Sequence, residues 1–149
     1  MPEKVAKGLQ GSEGLRNSWE LYQEEKGHEK KMVLVDTSVW VAHLRDGNAE
    51  LANLLNDGKV LCHPLIVGEL ACGNLKDRAL ILSFLQLLPM SIEAEHHEVL
   101  SFIENNLLMG KGMGYVDVHL LTSAILTGVP LWTFDKKLVR TADTFHMKY

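Results

Sequence analysis

Met32-Val33-Leu34-Val35-Asp36-Thr37-Ser38 is the stretch that decides the fold. A run of four apolar residues, two of them β-branched, reads as a strand buried on both faces. It ends on a carboxylate, and the helical pattern that follows opens on two hydroxyl residues. In an open parallel sheet, ligands bind in the crevice outside the carboxyl ends of the strands. An unpaired aspartate is costly to bury, so Asp36 at such a tip calls for a cation or a proton-transfer task.

From Met32 onward, strand and helix signals alternate. Met32–Val35 reads as a central strand and Ser38–Arg45 as a helix. Asp46-Gly47-Asn48 breaks the chain before a second helix over Ala49–Leu55. Lys59–Cys62 reads as a short strand. Pro64 sits at a first helical turn and starts a helix that runs through Ala71. Further helices are expected over Asp77–Leu88, Glu93–Met109, Tyr115–Thr127 and Lys136–Thr141. Leu131–Thr133 reads as a strand, with short strands possible at Met90–Ile92 and Phe145–Met147. Gly110-Lys111-Gly112-Met113-Gly114 reads as a mobile loop. Such alternation implies a parallel sheet covered on both faces, an α/β fold. Asp36 and Asp135 then lie just past strand ends on one edge of the sheet.

The chain has 149 residues, enough for one domain with a sizeable core. The expected division is an N-terminal extension over 1–31, glycine-rich and charged, and a folded domain over 32–149, with Met32 as a natural beginning. Hydrophobic residues make up 46% and charged residues 23%, an ordinary soluble balance without a membrane-spanning run. Met1-Pro2-Glu3-Lys4 leads into polar sequence rather than the apolar core of a secretory leader. The two cysteines, Cys62 and Cys72, lack metal-site spacing and are expected to be buried and reduced, which fits a cytoplasmic protein. A net charge of −4 argues against a broad basic nucleic-acid surface. It leaves room for binding through metals and a small basic rim.

Three more acids stand where they could join Asp36. Glu69 is the lone charge in Ile66-Val67-Gly68-Glu69-Leu70-Ala71, a helix expected to be mostly buried. Asp117 opens the most apolar helix of the chain, where a first-turn acid is also favoured by the helix dipole. Asp135 follows Trp132-Thr133-Phe134 and could equally be a helix N-cap. Each is weak alone; four in one alternating α/β chain are stronger. Clustered carboxylates raise each other's pKa unless a cation intervenes. Oxygen-only ligands suit Mg²⁺ or Mn²⁺ rather than zinc. Such ions activate water and stabilise charge on a phosphoryl group, so the natural chemistry is phosphodiester hydrolysis.

The motifs Val35-Asp36-Thr37-Ser38-Val39-Trp40, Glu69-Leu70-Ala71-Cys72-Gly73, Val116-Asp117-Val118-His119-Leu120-Leu121 and Thr133-Phe134-Asp135-Lys136-Lys137-Leu138 occur in that order. With them the chain from Met32 onward resembles the PIN-domain ribonucleases, above all the VapC-type toxins of toxin–antitoxin pairs. The resemblance implies a three-layer α/β/α fold with a central parallel sheet, and Mg²⁺- or Mn²⁺-dependent endoribonuclease activity. Asp36, Glu69, Asp117 and Asp135 fall on the family's acidic, metal-binding positions. Thr37, Ser38 and Thr133 fall on its hydroxyl positions, where they would orient carboxylates or metal-bound water. It further implies an RNA substrate, a cognate antitoxin protein and a homodimer. The N-terminal extension departs from the family pattern.

Lys136, Lys137 and Arg140 beside Asp135 suit phosphate steering or a plain solvated helix. His119, two residues after Asp117, should point away from it on a helix. His96-His97 reads as a solvated face, and Trp40 and Trp132 as core. The absence of a Gly-x-x-x-x-Gly-Lys-Ser/Thr loop excludes a P-loop NTPase. A haloacid-dehalogenase-type phosphotransferase needs an Asp where Ser38 stands, and a receiver domain needs an acidic pair that is missing. The rival from another class is a PIN-fold module that binds RNA or protein without cleaving, against which the intact acids and hydroxyls argue.

Overall fold

In the computed structural model, residues 31–149 are described. The extension expected over 1–31 lies outside them, apart from Lys31. The elements run β1 (Val33–Val35), α1 (Thr37–Asp46), α2 (Ala49–Asn56), β2 (Val60–Leu61), α3 (Pro64–Ala71), α4 (Arg78–Leu87), α5 (His96–Asn105), α6 (Tyr115–Thr127), β3 (Leu131–Trp132) and α7 (Lys136–Thr144).

The three strands form a parallel sheet in the order β2-β1-β3. Val33 faces Val60 and Leu34 faces Leu61 on one side; Leu34 faces Leu131 and Val35 faces Trp132 on the other. All three residues of β1 are buried, as a central strand covered on both faces requires. Parallel bridges extend the sheet at each edge, Met90 beside Cys62 and Lys148 beside Leu131. The short strand expected over Met90–Ile92 is thus a single bridge at Met90, and the one expected over Phe145–Met147 is replaced by a single bridge at Lys148. Helices α1, α3 and α4 pack together, as do α5, α6 and α7, and α6 also packs on β3. The result is a three-layer α/β/α arrangement. Among the described residues, no helix is long and apolar enough to cross a membrane.

Local chemistry sets the boundaries. Asp36 caps α1, and Gly47 ends it at φ 77°, a conformation glycine adopts without penalty. Asn48 Oδ1 accepts from Leu51 N–H at 2.9 Å to start α2. His63 Nδ1 accepts from Leu65 N–H at 3.0 Å, with Pro64 at the first turn of α3.

Two helices differ from expectation by more than one residue at an end. In α5, Glu95 N–H donates to Glu98 Oε1 at 2.9 Å, so the helix starts after the acidic run rather than at Glu93. It stops at Asn105, and Leu107 beyond it adopts φ 52°. In α7, the hydroxyls of Thr141 and Thr144 donate to carbonyls one turn back, at 3.1 and 3.0 Å. The helix runs past Thr141 because Ala142 is buried in the core, although β-branched residues there weaken the propensity.

The core gathers Leu34, Val35, Trp40, Leu51, Ile66, Leu120, Leu121, Leu131 and Leu138 around β1. Full burial of one such side chain contributes about 1.5–3 kcal/mol. Trp40 and Trp132 belong to this core. Cys62 is buried, and desolvation pushes its thiol up to about 11. Cys72 is exposed at the end of α3, a correction to the expectation that both cysteines are buried. Helix α3 is likewise less buried than its composition suggests: only Ile66 and Leu70 are fully covered, and Glu69 is exposed.

Candidate active site

Asp36 stands at the tip of β1 and caps α1. It is 5% exposed. Its Oδ2 accepts from Ser38 Oγ at 2.7 Å and from Thr133 Oγ1 at 2.8 Å, with a longer contact from Ser38 N–H at 3.4 Å. Each hydroxyl in turn accepts a backbone amide: Ser38 Oγ from Phe134 at 3.0 Å, Thr133 Oγ1 from Asp135 at 3.1 Å. A hydroxyl has one proton to give, and here both are committed to Asp36. The strand ends of β1 and β3 are thus tied by two hydroxyl relays that fix one carboxylate oxygen. Among the described residues, Oδ1 has no hydrogen-bond partner.

Asp135 is exposed, and its Oδ1 accepts from Lys137 and Leu138 N–H, both at 3.0 Å. The N-cap role and a site role therefore coexist: one oxygen serves the helix, and the helix end favours negative charge there. Asp117, in the first turn of α6, accepts from Gly114 N–H at 3.3 Å. Its carboxyl is held above the usual value of 3.8, first by burial and then by the negative charges of Asp36 and Asp135, against the opposing Gly114 bond. Asp117 therefore senses two of the other three acids. Glu69 stands apart from that group in its bonding: Oε1 accepts from Thr37 Oγ1 at 2.8 Å, which ties α3 to the first residue of α1.

The donor set is entirely oxygen. Among the described residues, no three His, Cys, Asp or Glu side chains stand close enough to enclose an ion. The acids repel through space without forming a closed cage. That pattern fits Mg²⁺, which is commonly held by one or two carboxylates and keeps several waters. It does not fit a tetrahedral zinc site.

Lys136, Lys137 and Arg140 are exposed on α7, and among the described residues none of them makes an ion pair. Arg140 Nε reaches the carbonyl of Lys136 at 3.3 Å. Lys137 lies along the glycine loop, where a Cβ on Gly112 would come within 2.7 Å of its Nζ.

His119 turns into the protein, edge-to-face with His63 at 5.0 Å and with Tyr115 at 5.7 Å. Both of its ring nitrogens are buried without partners among the described residues, away from the acids. His63 escaped the sequence reading, although its place before Pro64 marks it as a cap. Burial, followed by the charge of His119, lowers it to about 4, and Nε2 lies 3.1 Å from Ser123 Oγ. His97 is solvated, with Nδ1 3.2 Å from Glu95. His96 is exposed but pairs with Tyr115 Oη at 2.8 Å.

Residues 33–144 match the PIN domain family. Two proteins named Ribonuclease VapC32, from two strains of Mycobacterium tuberculosis, are each 46% identical to this chain over 108 residues, spanning 72% of this chain and 87% of theirs.

Proposed function

Since the chain belongs to the PIN-domain family and, within it, to the VapC-type ribonucleases, we propose that it hydrolyses RNA phosphodiester bonds with a carboxylate-bound Mg²⁺ or Mn²⁺. The observation that carries this reading is the buried Asp36, fixed by two hydroxyls, beside an Asp117 whose carboxyl is raised by burial and by its acidic neighbours.

One or two of Asp36, Asp117 and Asp135 would contact the cation directly and the others through its waters, with Glu69 at the margin. The ion would supply an activated water and positive charge for the phosphoryl oxygens. The rest falls to side chains. Thr133 and Ser38 hold Oδ2 of Asp36 and leave Oδ1 free of competing hydrogen bonds. Thr37 orients Glu69. Lys136, Lys137 and Arg140 attract phosphates to the rim. Single-stranded or looped RNA suits an acidic site with so small a cationic border. Among the described residues no paired nucleophile and base stand at the site, so hydrolysis would proceed without a covalent intermediate.

The same reading makes the chain the toxin of a toxin–antitoxin pair, a cytoplasmic protein that forms a homodimer and is blocked by a cognate antitoxin. Incubating the purified chain with total RNA in Mg²⁺ or Mn²⁺ tests the activity. Discrete fragments that vanish with EDTA and return with added metal are expected. RNA retained but left intact under all conditions would instead favour a binding module.

A further inference from the structure

The geometry points to Phe134 as a stacking platform for a base beside the scissile phosphate, an inference that rests on the ribonuclease reading above. Phe134 lies between Thr133, which donates to Asp36, and Asp135. It is one Cα step, about 3.8 Å, from each. Its ring is 48% exposed although it sits at the rim of a site built from buried groups. Other large apolar residues are exposed elsewhere; two features set this one apart.

The first is rigidity. The Phe134 amide donates to Ser38 Oγ at 3.0 Å, so the same relay that fixes Asp36 fixes this backbone. The ring rests edge-to-face on Trp132, centroids 5.9 Å apart. Trp132 is itself braced by Tyr149 at 5.1 Å, whose hydroxyl donates to Glu50 at 2.7 Å. A ring with a fixed backbone and an ordered support loses little entropy on binding. The second feature is setting. Exposed cations without ion-pair partners among the described residues follow directly, at Lys136 and Lys137. An exposed aromatic with adjacent cations along a phosphate path is the pattern that binds single strands, since every base offers a π-face.

The test measures binding of the full chain to labelled single-stranded oligoadenylate and to a matched base-free ribose-phosphate oligomer. Ca²⁺ replaces Mg²⁺, and intact RNA is verified on a gel. Phe134→Leu should weaken oligoadenylate binding roughly five- to hundred-fold and leave the base-free oligomer unchanged, while Phe134→Tyr retains parental affinity. A Leu variant that binds oligoadenylate like the parent overturns the proposal, as does one that weakens both oligomers alike. If the Leu variant fails to fold, the decision falls to the Tyr variant and to the parent's own preference for the base-bearing oligomer; absence of that preference overturns the proposal. A parent that prefers oligoadenylate yet never cleaves total RNA in Mg²⁺ or Mn²⁺ would refute the ribonuclease reading and leave the platform standing.

Discussion

Replacing Thr133 with valine would keep the shape of the β3 tip and remove one hydroxyl. That hydroxyl donates to Asp36 Oδ2 at 2.8 Å and accepts from Asp135 N–H at 3.1 Å. Asp36 is 5% exposed, so water cannot fully replace the lost donor. Oδ2 keeps the 2.7 Å bond from Ser38 and the longer amide contact. Loss of one hydrogen bond to a charged group costs about 1.5–3 kcal/mol. The freed Asp135 amide adds little, because Asp135 is exposed and water can reach it. For a domain of roughly 120 residues, a loss of about 2 kcal/mol lowers the melting temperature by roughly 8 °C. Activity should fall about ten- to hundred-fold, the usual effect of removing a group that orients a metal ligand. Thermal unfolding by circular dichroism, without metal at neutral pH, reads the first effect; RNA cleavage reads the second. Thr133→Ser, which keeps the hydroxyl, should lie close to the parent in both. A valine variant melting within about 2 °C of the parent, or a serine variant falling as far as valine, would refute the relay.

Asp117→Asn should abolish cleavage and stabilise the metal-free fold. The native carboxyl is held above its ordinary 3.8 by burial and by Asp36 and Asp135, so the native state binds its proton more tightly than the unfolded chain. Ionisation therefore costs stability as pH rises from about 3.8 through the raised value, and the cost persists at neutral pH. The variant's advantage in urea melts should be present at pH 7 and shrink below about pH 3.8; a destabilised variant at pH 7 would count against the repulsion. Lys136→Ala with Lys137→Ala should weaken RNA binding and flatten the log-affinity against log-salt slope by up to about 1.4, and identical slopes would reject phosphate contacts. A 32–149 fragment should match the full chain in cleavage rate, whereas strong activation on truncation would identify the first 31 residues as inhibitory.

The fold was legible in the sequence where the chain states its own punctuation. Tyr115–Thr127 was readable to the residue because Gly114 and Gly128 bracket it. β1 was readable because its apolar run meets a charge at the point where the sheet ends. The reading failed where tertiary pairing decides. Short strands were expected over Met90–Ile92 and Phe145–Met147, yet the sheet gains only single bridges, at Met90 and at Lys148. The apolar composition of α3 suggested burial for Glu69, but only two of its residues are fully buried and Glu69 is exposed. At the site, sequence named the acids and hydroxyls without saying which oxygen meets which. The relays through Ser38 and Thr133 span 96 and 97 positions, and such partnerships are set by the sheet, not by local spacing. Phe134 passed unremarked because an aromatic beside a strand reads as core until its exposure is seen.

The order of the strands has a consequence for synthesis. Among the described strands the middle one is made before both neighbours, and β3 comes last of the three, with Leu34 pairing to Leu131. At about 5–20 residues per second, the emerging chain carries Asp36 for several seconds before Thr133 exists to hold it. Tyr149 then closes the edge through Leu131 and Glu50. Contacts this distant in sequence form slowly, because loop closure must precede them. The hydroxyl relay around Asp36 is therefore completed only after β3 and Thr133 have been made. A chain interrupted before Thr133 lacks the relay that fixes Asp36, so the carboxylate at the β1 tip waits for partners made 97 positions later.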